Sequence, residues 1–407
     1  MAKTHDRFAA LRYRDFRLLW IGLLISNIGS QMQFAAINWH IFILTHSALA
    51  LGLIGLSRFI PVTIFALIGG SVADAHNRKK ILLITQTALT LLSGVLAIST
   101  FTHTVTPPII YIITALSAMA LAFDTPPRQA MVPNLVDRDH ISNAMSLNVM
   151  MWQISMVLGP ALSGFVIGLF GIGSVYLINA FSFLAVIIAL ILMKTSGEIE
   201  GKPAKVSFHA MLEGLAFVKS KTMIWSTMLL DFFSSFFASA TALLPIFSEK
   251  ILHVGPIGYG LLYAAQSVGA VAAGYVMAHV GNIKHQGKII LASVAVYGIA
   301  TIVFGFSQLF LLSFLALFIV GFGDSVSTVL RNTIRNLATP DYIRGRMTSV
   351  NMIFFLGGPQ LGEFEAGVLA AFVGVPWSVA LGGIGTLLVV ATVFVAIPQI
   401  RTYSREE

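Results

Sequence analysis

Long apolar stretches separated by short polar segments recur along the whole chain. A bilayer core about 30 Å thick is crossed by roughly 20 apolar residues in a helix. Twelve stretches reach that length, so the pattern predicts an all-α membrane protein. The predicted spans are 18–44, 50–73, 81–101, 108–130, 142–170, 174–193, 223–248, 257–280, 288–306, 309–336, 346–372 and 376–397.

The positive charges are sorted to one side of these spans. Of the 25 Lys and Arg residues, all but two lie in the N-terminal segment, the even-numbered connections and the C-terminal tail, or at the span ends that adjoin them. The exceptions are Lys250, in an outer loop, and Arg58, inside a span. Because Lys and Arg in short loops stay on the cytoplasmic side, the sequence predicts that both termini are cytoplasmic.

Composition supports a membrane protein and argues against other classes. The chain is 57% hydrophobic and 10% charged, whereas a soluble domain carries about 25% charged residues. Its net charge of +8 is explained by the Lys and Arg residues on the side predicted to be cytoplasmic, where the membrane surface attracts positive charge. We therefore expect no nucleic-acid partner. The absence of cysteine excludes disulfides and thiolate sites. No nucleophile–base pair, metal-like cluster or cofactor motif is present, so we expect no metal, no cofactor and no enzymatic activity.

The chain divides into two related halves. Bundles of six helices, 18–193 and 223–397, lie between a cytoplasmic segment 1–17 and a tail 398–407. A linker, 194–222, joins them and contains apolar residues at helical spacing over 206–218, which predicts a short amphipathic helix. At an offset of 203 residues, Arg128 aligns with Arg331, Asn148 with Asn351, and Gly164 with Gly367. Such a repeat is typical of secondary transporters.

Several motifs resemble the major facilitator superfamily. Gly70, Asp74, Arg78 and Lys79 match its cytoplasmic loop motif, although Asn77 replaces the usual glycine. The segments 11–20, 124–130 and 339–346 look like the branch that contains the enterobactin exporter and related drug efflux proteins. Gly159-Pro160 is similar to the span-five antiporter signature. The resemblance implies a monomeric, multi-pass protein of the bacterial inner membrane, which exports a siderophore or drug-like amphiphile in exchange for protons and is surrounded by lipids.

Arg58, Glu363 and Glu365 are candidates for proton coupling. A charge inside a membrane costs about 2.5–3.5 kcal/mol on insertion scales, so each requires a partner or a role. Arg58 and the two glutamates lie at matching depths, and in the superfamily's arrangement spans two and eleven face each other. We therefore expect an ion pair that latches the outer half and opens on protonation; a static pair is the alternative. The glutamates are about 200° apart on a helix, and Glu363 is slightly favoured as the partner.

Other polar residues within the spans are candidates for a substrate cavity. Asn27, Gln31 and Asn38 form one stripe along span one, for which hydrogen bonding between helices is the alternative. In the second half, the candidates are Asp231 with Ser235 in span seven, and Asp324 near the middle of span ten. Asp324 could bind a proton or a cationic substrate group, or could serve only in packing.

Four residues are candidates for a cytoplasmic gate. The gate residues are Asp74, Arg78, Asp124 and Arg128.

The carboxylates of the second half suit a cationic or neutral substrate better than an anionic siderophore, because Arg58 is the only basic residue expected within the spans. A lipid flippase, an uncoupled sensor and an importer remain alternatives on the same fold.

Overall fold

The computed structural model describes residues 8–197, 208–281 and 283–403, which are almost entirely helical. The helices are α1 (Arg14–Thr45), α2 (Ala48–Ala75), α3 (Arg78–Phe101), α4 (Pro107–Met131), α5 (Ile141–Phe170), α6 (Ile172–Leu192), α7 (Phe208–Ser220), α8 (Thr222–Phe237), α9 (Leu244–Ile246), α10 (Gly255–His279), α11 (Gln286–Phe306), α12 (Phe310–Ala338), α13 (Asp341–Val373), α14 (Val375–Ala396) and α15 (Pro398–Thr402).

Ten helical stretches in the described residues are long and apolar enough to cross a membrane. Two further helices, α1 with 32 residues and α13 with 33, are long enough but more polar. In α1 the polarity comes from amide side chains that are at most 7% exposed: Asn27, Gln31, Gln33 and Asn38. The polar positions that lower its hydropathy therefore lie against protein.

The described chain forms two compact units. The first contains residues 8–40 and 60–197, and its α3 packs against α4 and α6. A buried polar network fixes three of its helices: Gln33 Oε1 of α1 accepts hydrogen bonds from Ser93 Oγ of α3 and Asn179 Nδ2 of α6, each at 2.8 Å. Lipid is as apolar as a leucine side chain, so hydrogen bonds and close contacts hold helices together here.

The second unit contains residues 41–59 and 208–403. It is built on close contacts at glycines, which let backbones approach. Gly321 of α12 lies against the Gln266 backbone of α10, and a Cβ added to Gly383 of α14 would stand 2.6 Å from the Gly298 carbonyl oxygen of α11. These contacts place α12 beside α10 and α14 beside α11.

The linker between the halves contains the helix α7. The part of the linker at 198–207 lies outside the described residues. Val218 of α7 is fully buried with Met347 and Val350 of α13, and Glu213 forms an ion pair of 2.5 Å with Arg346. Within the described residues, the helix predicted over 206–218 spans Phe208–Ser220, and it packs on the start of α13.

The predicted span at 223–248 is not one continuous helix. α8 ends at Phe237, and a 3₁₀ turn (Ala240–Leu243), α9 and a π-helical turn (Phe247–Ile251) follow. Pro245 lacks a backbone N–H and sits in the first turn of α9. The Ser239 hydroxyl, at the break, donates to the Pro359 carbonyl oxygen at 3.1 Å. The irregular backbone is thereby tied to α13.

Candidate functional site

The first part of α2 packs directly on α13 within the second unit. A Cβ added to Gly52 would lie 3.1 Å from the Glu363 carbonyl oxygen, and one added to Gly367 would lie 2.7 Å from the Ala48 carbonyl oxygen. A Cβ at Gly55 would overlap the Gln360 carbonyl oxygen. Glycine is required along this contact because the backbones touch.

Arg58 and Glu363 are brought together beside this contact, as their matching depths predict. Glu363 is 8% exposed, its Oε2 has no hydrogen-bond partner in the described chain, and it interacts electrostatically with Arg58. Tyr263 of α10 interacts with both charges. A Cβ added to Gly55 would lie 3.3 Å from Glu363 Oε2, whereas Glu365 is two residues further along α13 and half-buried. The geometry therefore favours Glu363 over Glu365 as the partner, and it adds Tyr263, which the sequence did not single out.

We expect Gly55→Ala to lower transport, whereas Gly70→Ala on the same helix leaves it unchanged. The added methyl at position 55 meets the α13 backbone, at a cost of about 1–3 kcal/mol for overpacking. Among the described residues nothing lies within 4 Å of a Cβ added to Gly70, so an added methyl there meets no neighbour. Its neighbour Gly69 contacts the Ala122 carbonyl instead. Transport rates of the two variants at equal expression check the prediction; equal losses would contradict it.

A network of four charged groups joins α8 to α12. Arg331 Nη2 lies 2.8 Å from Asp231 Oδ1 and 3.7 Å from Asp324 Oδ1, and Arg335 Nη2 lies 3.4 Å from Asp231 Oδ2. Arg335 also donates to the Asn351 side-chain oxygen of α13. Two acids and two bases balance one another, so the network is neutral when all four are ionised.

The position of Arg331 and Arg335 corrects the sequence-based assignment. Both were expected among the cytoplasmic charges, yet they are 0% and 2% exposed inside α12. The expectation that Arg58 is the only basic residue within the spans is therefore wrong. The repeat carried a signal, because Arg331 and Asn351 are both among the aligned positions. Asp231, a candidate for the cavity, is 3% exposed and bound to both arginines.

The first unit contains a related but different network. Arg128 pairs with Asp124 one turn earlier on α4 and donates to Asn27 Oδ1 at 3.4 Å. Asp124 also accepts hydrogen bonds of 2.8 Å from Thr85 and Gln86 of α3. In each unit, the repeat-related arginine thus binds a polar side chain on the first helix of its half, Asn27 or Asp231.

The amide stripe of span one faces α5. Asn27 Nδ2 lies 3.9 Å from Met151 Sδ, and Gln31 Nε2 lies 2.9 Å from Met156 Sδ. Asn38 is 1% exposed, and its side-chain oxygen and nitrogen have no hydrogen-bond partner in the described residues. Ser235 is half-buried. For Asn27 and Gln31, the contacts correspond to the alternative interpretation, hydrogen bonding between helices.

The cytoplasmic motif contacts the chain that leaves α6. Lys79 Nζ donates to the Met193 carbonyl at 2.8 Å, the Arg78 amide donates to the Gly197 carbonyl at 3.0 Å, and Asn77 Nδ2 donates to the Ser196 carbonyl at 2.9 Å. These bonds fix the start of the linker onto the first unit.

The predicted gate residues are not one cluster in this arrangement. The Arg78 side chain donates to the Ala130 carbonyl at 3.1 Å, and Asp124 binds Arg128 as described. Asp74 is half-buried, and the described residues give it no hydrogen bond or ion pair. Arg78 therefore reaches the end of α4 without contacting the carboxylate there.

The segment before α1 is held against the α4–α5 connection. The Tyr13 hydroxyl donates to Asp137 Oδ2 at 2.6 Å and lies 2.9 Å from His140 Nδ1. The hydrogen bond to Asp137 raises the pKa of Tyr13 above its ordinary value. The Ala10 amide donates to Asn143 Oδ1 at 2.9 Å, so three hydrogen bonds attach this segment.

We expect Asn77→Ala to loosen residues 193–197. Asn77 Oδ1 accepts from the Lys80 amide at 3.1 Å and caps α3, and its Nδ2 holds Ser196. Loss of a cap costs about 1 kcal/mol. Amide hydrogen exchange over 193–197 should accelerate. His76→Ala is the control, because the hydrogen bond of the exposed His76 ring in the described chain goes to the Val72 carbonyl at the end of α2. Unchanged exchange in the Asn77 variant would contradict the assignment.

Comparison with known proteins places the chain among membrane transporters. It is 25% identical to the staphyloferrin A transporter of Staphylococcus aureus over 91% of this chain and 92% of the relative. Identity is 22% with the enterobactin exporter EntS of Citrobacter koseri, over 99% and 94% of the two chains. It is also 22% with macrolide efflux protein A of Streptococcus pyogenes, over 72% and 74%.

The fold is likewise that of a transporter. A bacterial homolog of the human lysosomal transporter Spinster, solved in an inward-facing and occupied conformation, superposes with a TM-score of 0.76 at 15% identity, covering 96% of this chain and 99% of the other. A family model described as transmembrane secretion effector matches residues 5–406. The relatives are transporters and not enzymes, and the apolar helices make this a multi-pass membrane protein. The chain belongs to the transmembrane secretion effector family of the major facilitator superfamily.

Proposed function

We propose that this protein exports a small amphiphilic molecule, such as a siderophore or a drug, in exchange for protons. It works by alternating access, as a monomer in the inner membrane of a bacterium, with lipids around it. α1 and α13 complete twelve membrane spans with both termini in the cytoplasm, and residues 18–193 and 223–397 form the two bundles. The export of siderophores and drugs by relatives supports this reading.

The observation that carries proton coupling is the environment of Glu363. This buried carboxylate lies beside Arg58 at the α2–α13 contact, and one of its oxygens lacks a hydrogen-bond donor in the described residues. A buried ion pair contributes little net stability, but removing the charge of one partner changes its energy by several kcal/mol. Protonation of Glu363 would therefore change the energy of the α2–α13 contact, and a proton-driven latch requires such a change.

The substrate is tested in cells with and without the gene, under iron-replete and iron-starved growth. Comparison of secreted and retained metabolites is expected to show one amphiphilic compound retained in the deletion strain. Retention of an iron chelator would identify a siderophore as the substrate. If the deletion changes only the distribution of lipids between leaflets, the protein is a flippase and the proposal is wrong.

A further inference from the structure

The four-charge network of the second unit presents only one of its members to the surroundings. The Asp324 side chain is 39% exposed, whereas those of Arg331, Arg335 and Asp231 are 0%, 2% and 4% exposed. The bases and one acid are covered. A molecule that approaches the network therefore meets a carboxylate first, with Arg331 behind it.

Asp324 lies halfway along α12 and points away from lipid. It is the fifteenth of 29 residues. At 100° per residue, Leu315 and Ile319 lie about 180° and 140° from it around the helix, and these are 48% and 40% exposed apolar side chains. Thr328, Arg331 and Arg335 share the face of Asp324. Since a carboxylate in hydrocarbon is costly, its exposed part must meet water or a ligand.

The Asp324 carboxyl lies beside a buried base and near a buried phenol. Arg331 lies 3.7 Å away on one side and holds Asp231 more tightly, at 2.8 Å. Tyr297 of α11 interacts electrostatically with Asp324, Arg331 and Asp231. Arg331 also retains two buried donors, Nε and Nη1, without a hydrogen-bond partner in the described residues.

From this arrangement we infer that Asp324 is a specificity-determining residue that selects amphiphilic cations over anions. A cation and a proton compete for the same carboxylate, because a protonated Asp324 no longer attracts a positive charge. An anion would be repelled by the exposed Asp324 carboxylate, because Arg331 and Arg335, which could attract it, are buried behind that carboxylate. The inference rests on the proposed exporter function and narrows its substrate class to amines and related cations, away from anionic chelators.

The test compares two ions of similar size and shape but opposite charge, tetraphenylphosphonium and tetraphenylborate. Binding of each to the full-length protein in lipid nanodiscs is measured by equilibrium dialysis against empty nanodiscs. The wild type is expected to bind the phosphonium at least about tenfold more tightly, a difference of about 1.4 kcal/mol, and to release protons as it does so. Asp324→Asn should remove that preference, and Asp324→Glu should restore part of it.

Controls separate this inference from folding and from the exporter function. Glu249→Gln, at an exposed site in the same unit, should bind as the wild type does, and unfolding temperatures should show that Asp324→Asn is folded. Preferential binding of the borate, or a phosphonium preference that survives Asp324→Asn, would overturn the inference. Neither result contradicts proton coupling through Glu363. That proposal is tested by transport along a pH gradient, whereas the inference on Asp324 is tested by charge preference in binding.

Discussion

Glu363→Gln is expected to abolish the dependence of transport on the proton gradient while leaving substrate binding intact. Glutamine keeps the shape of the side chain but cannot gain or lose a proton. Arg58 would then face a neutral group in every state, so protonation could no longer change the energy of the α2–α13 contact. Transport driven by a pH gradient in everted membrane vesicles should fall at least about tenfold, which corresponds to about 1.4 kcal/mol.

The same substitution at Glu365 distinguishes the two glutamates. Glu365 is two residues further along α13, on a different face, and is half-buried, whereas Glu363 interacts electrostatically with Arg58. Glu365→Gln should therefore retain the pH dependence. If both variants lose coupling equally, or if only Glu365→Gln does, the assignment of Glu363 as the coupling residue is wrong.

Arg331→Leu is expected to cause the largest loss of stability among single substitutions in the second unit. It leaves Asp231 buried with only the longer contact to Arg335, at 3.4 Å. Removal of one partner from a buried ion pair typically costs about 3–5 kcal/mol. Thermal unfolding in detergent should show a large fall in the unfolding temperature. Neutralising the acid as well, in Asp231→Asn/Arg331→Leu, should recover part of the loss, as coupling between contacting residues requires.

Arg346→Leu provides the matched control, since it breaks an ion pair in the same unit at the surface. The Arg346 and Glu213 side chains are 39% and 47% exposed, and exposed pairs contribute about 0–1 kcal/mol. A small change is expected. Comparable losses for Arg331→Leu and Arg346→Leu would show that the buried network does not hold α8 to α12.

The sequence was most informative for features that depend on one segment of the chain alone. Apolar length predicted the membrane helices, because a bilayer imposes it on each one separately. Depth below the membrane surface, which helix geometry derives from residue number, was the basis for predicting that Arg58 pairs with a glutamate of span eleven. The choice between Glu363 and Glu365 required the structure, because it depends on how α13 is rotated against α2.

Sequence reasoning was least informative where a partner lies far along the chain. Arg331 near the end of a span looks like a cytoplasmic charge, and Asp231, the carboxylate that lets it be buried, precedes it by 100 residues. Glycine showed the same limit. Gly70 matches the motif, but no described residue lies within 4 Å of a Cβ added there, whereas Gly55, which no motif includes, lies against the α13 backbone.

The central claim, proton-coupled export, is tested most directly with purified protein in proteoliposomes that enclose a pH-sensitive dye. After a pH gradient is imposed, a test compound is added outside. This compound is either a macrolide with a basic amine or the compound that the deletion strain retains. We expect a substrate-dependent movement of protons with the wild type that is absent with Glu363→Gln. Substrate movement that proceeds at the same rate with and without the gradient would contradict it.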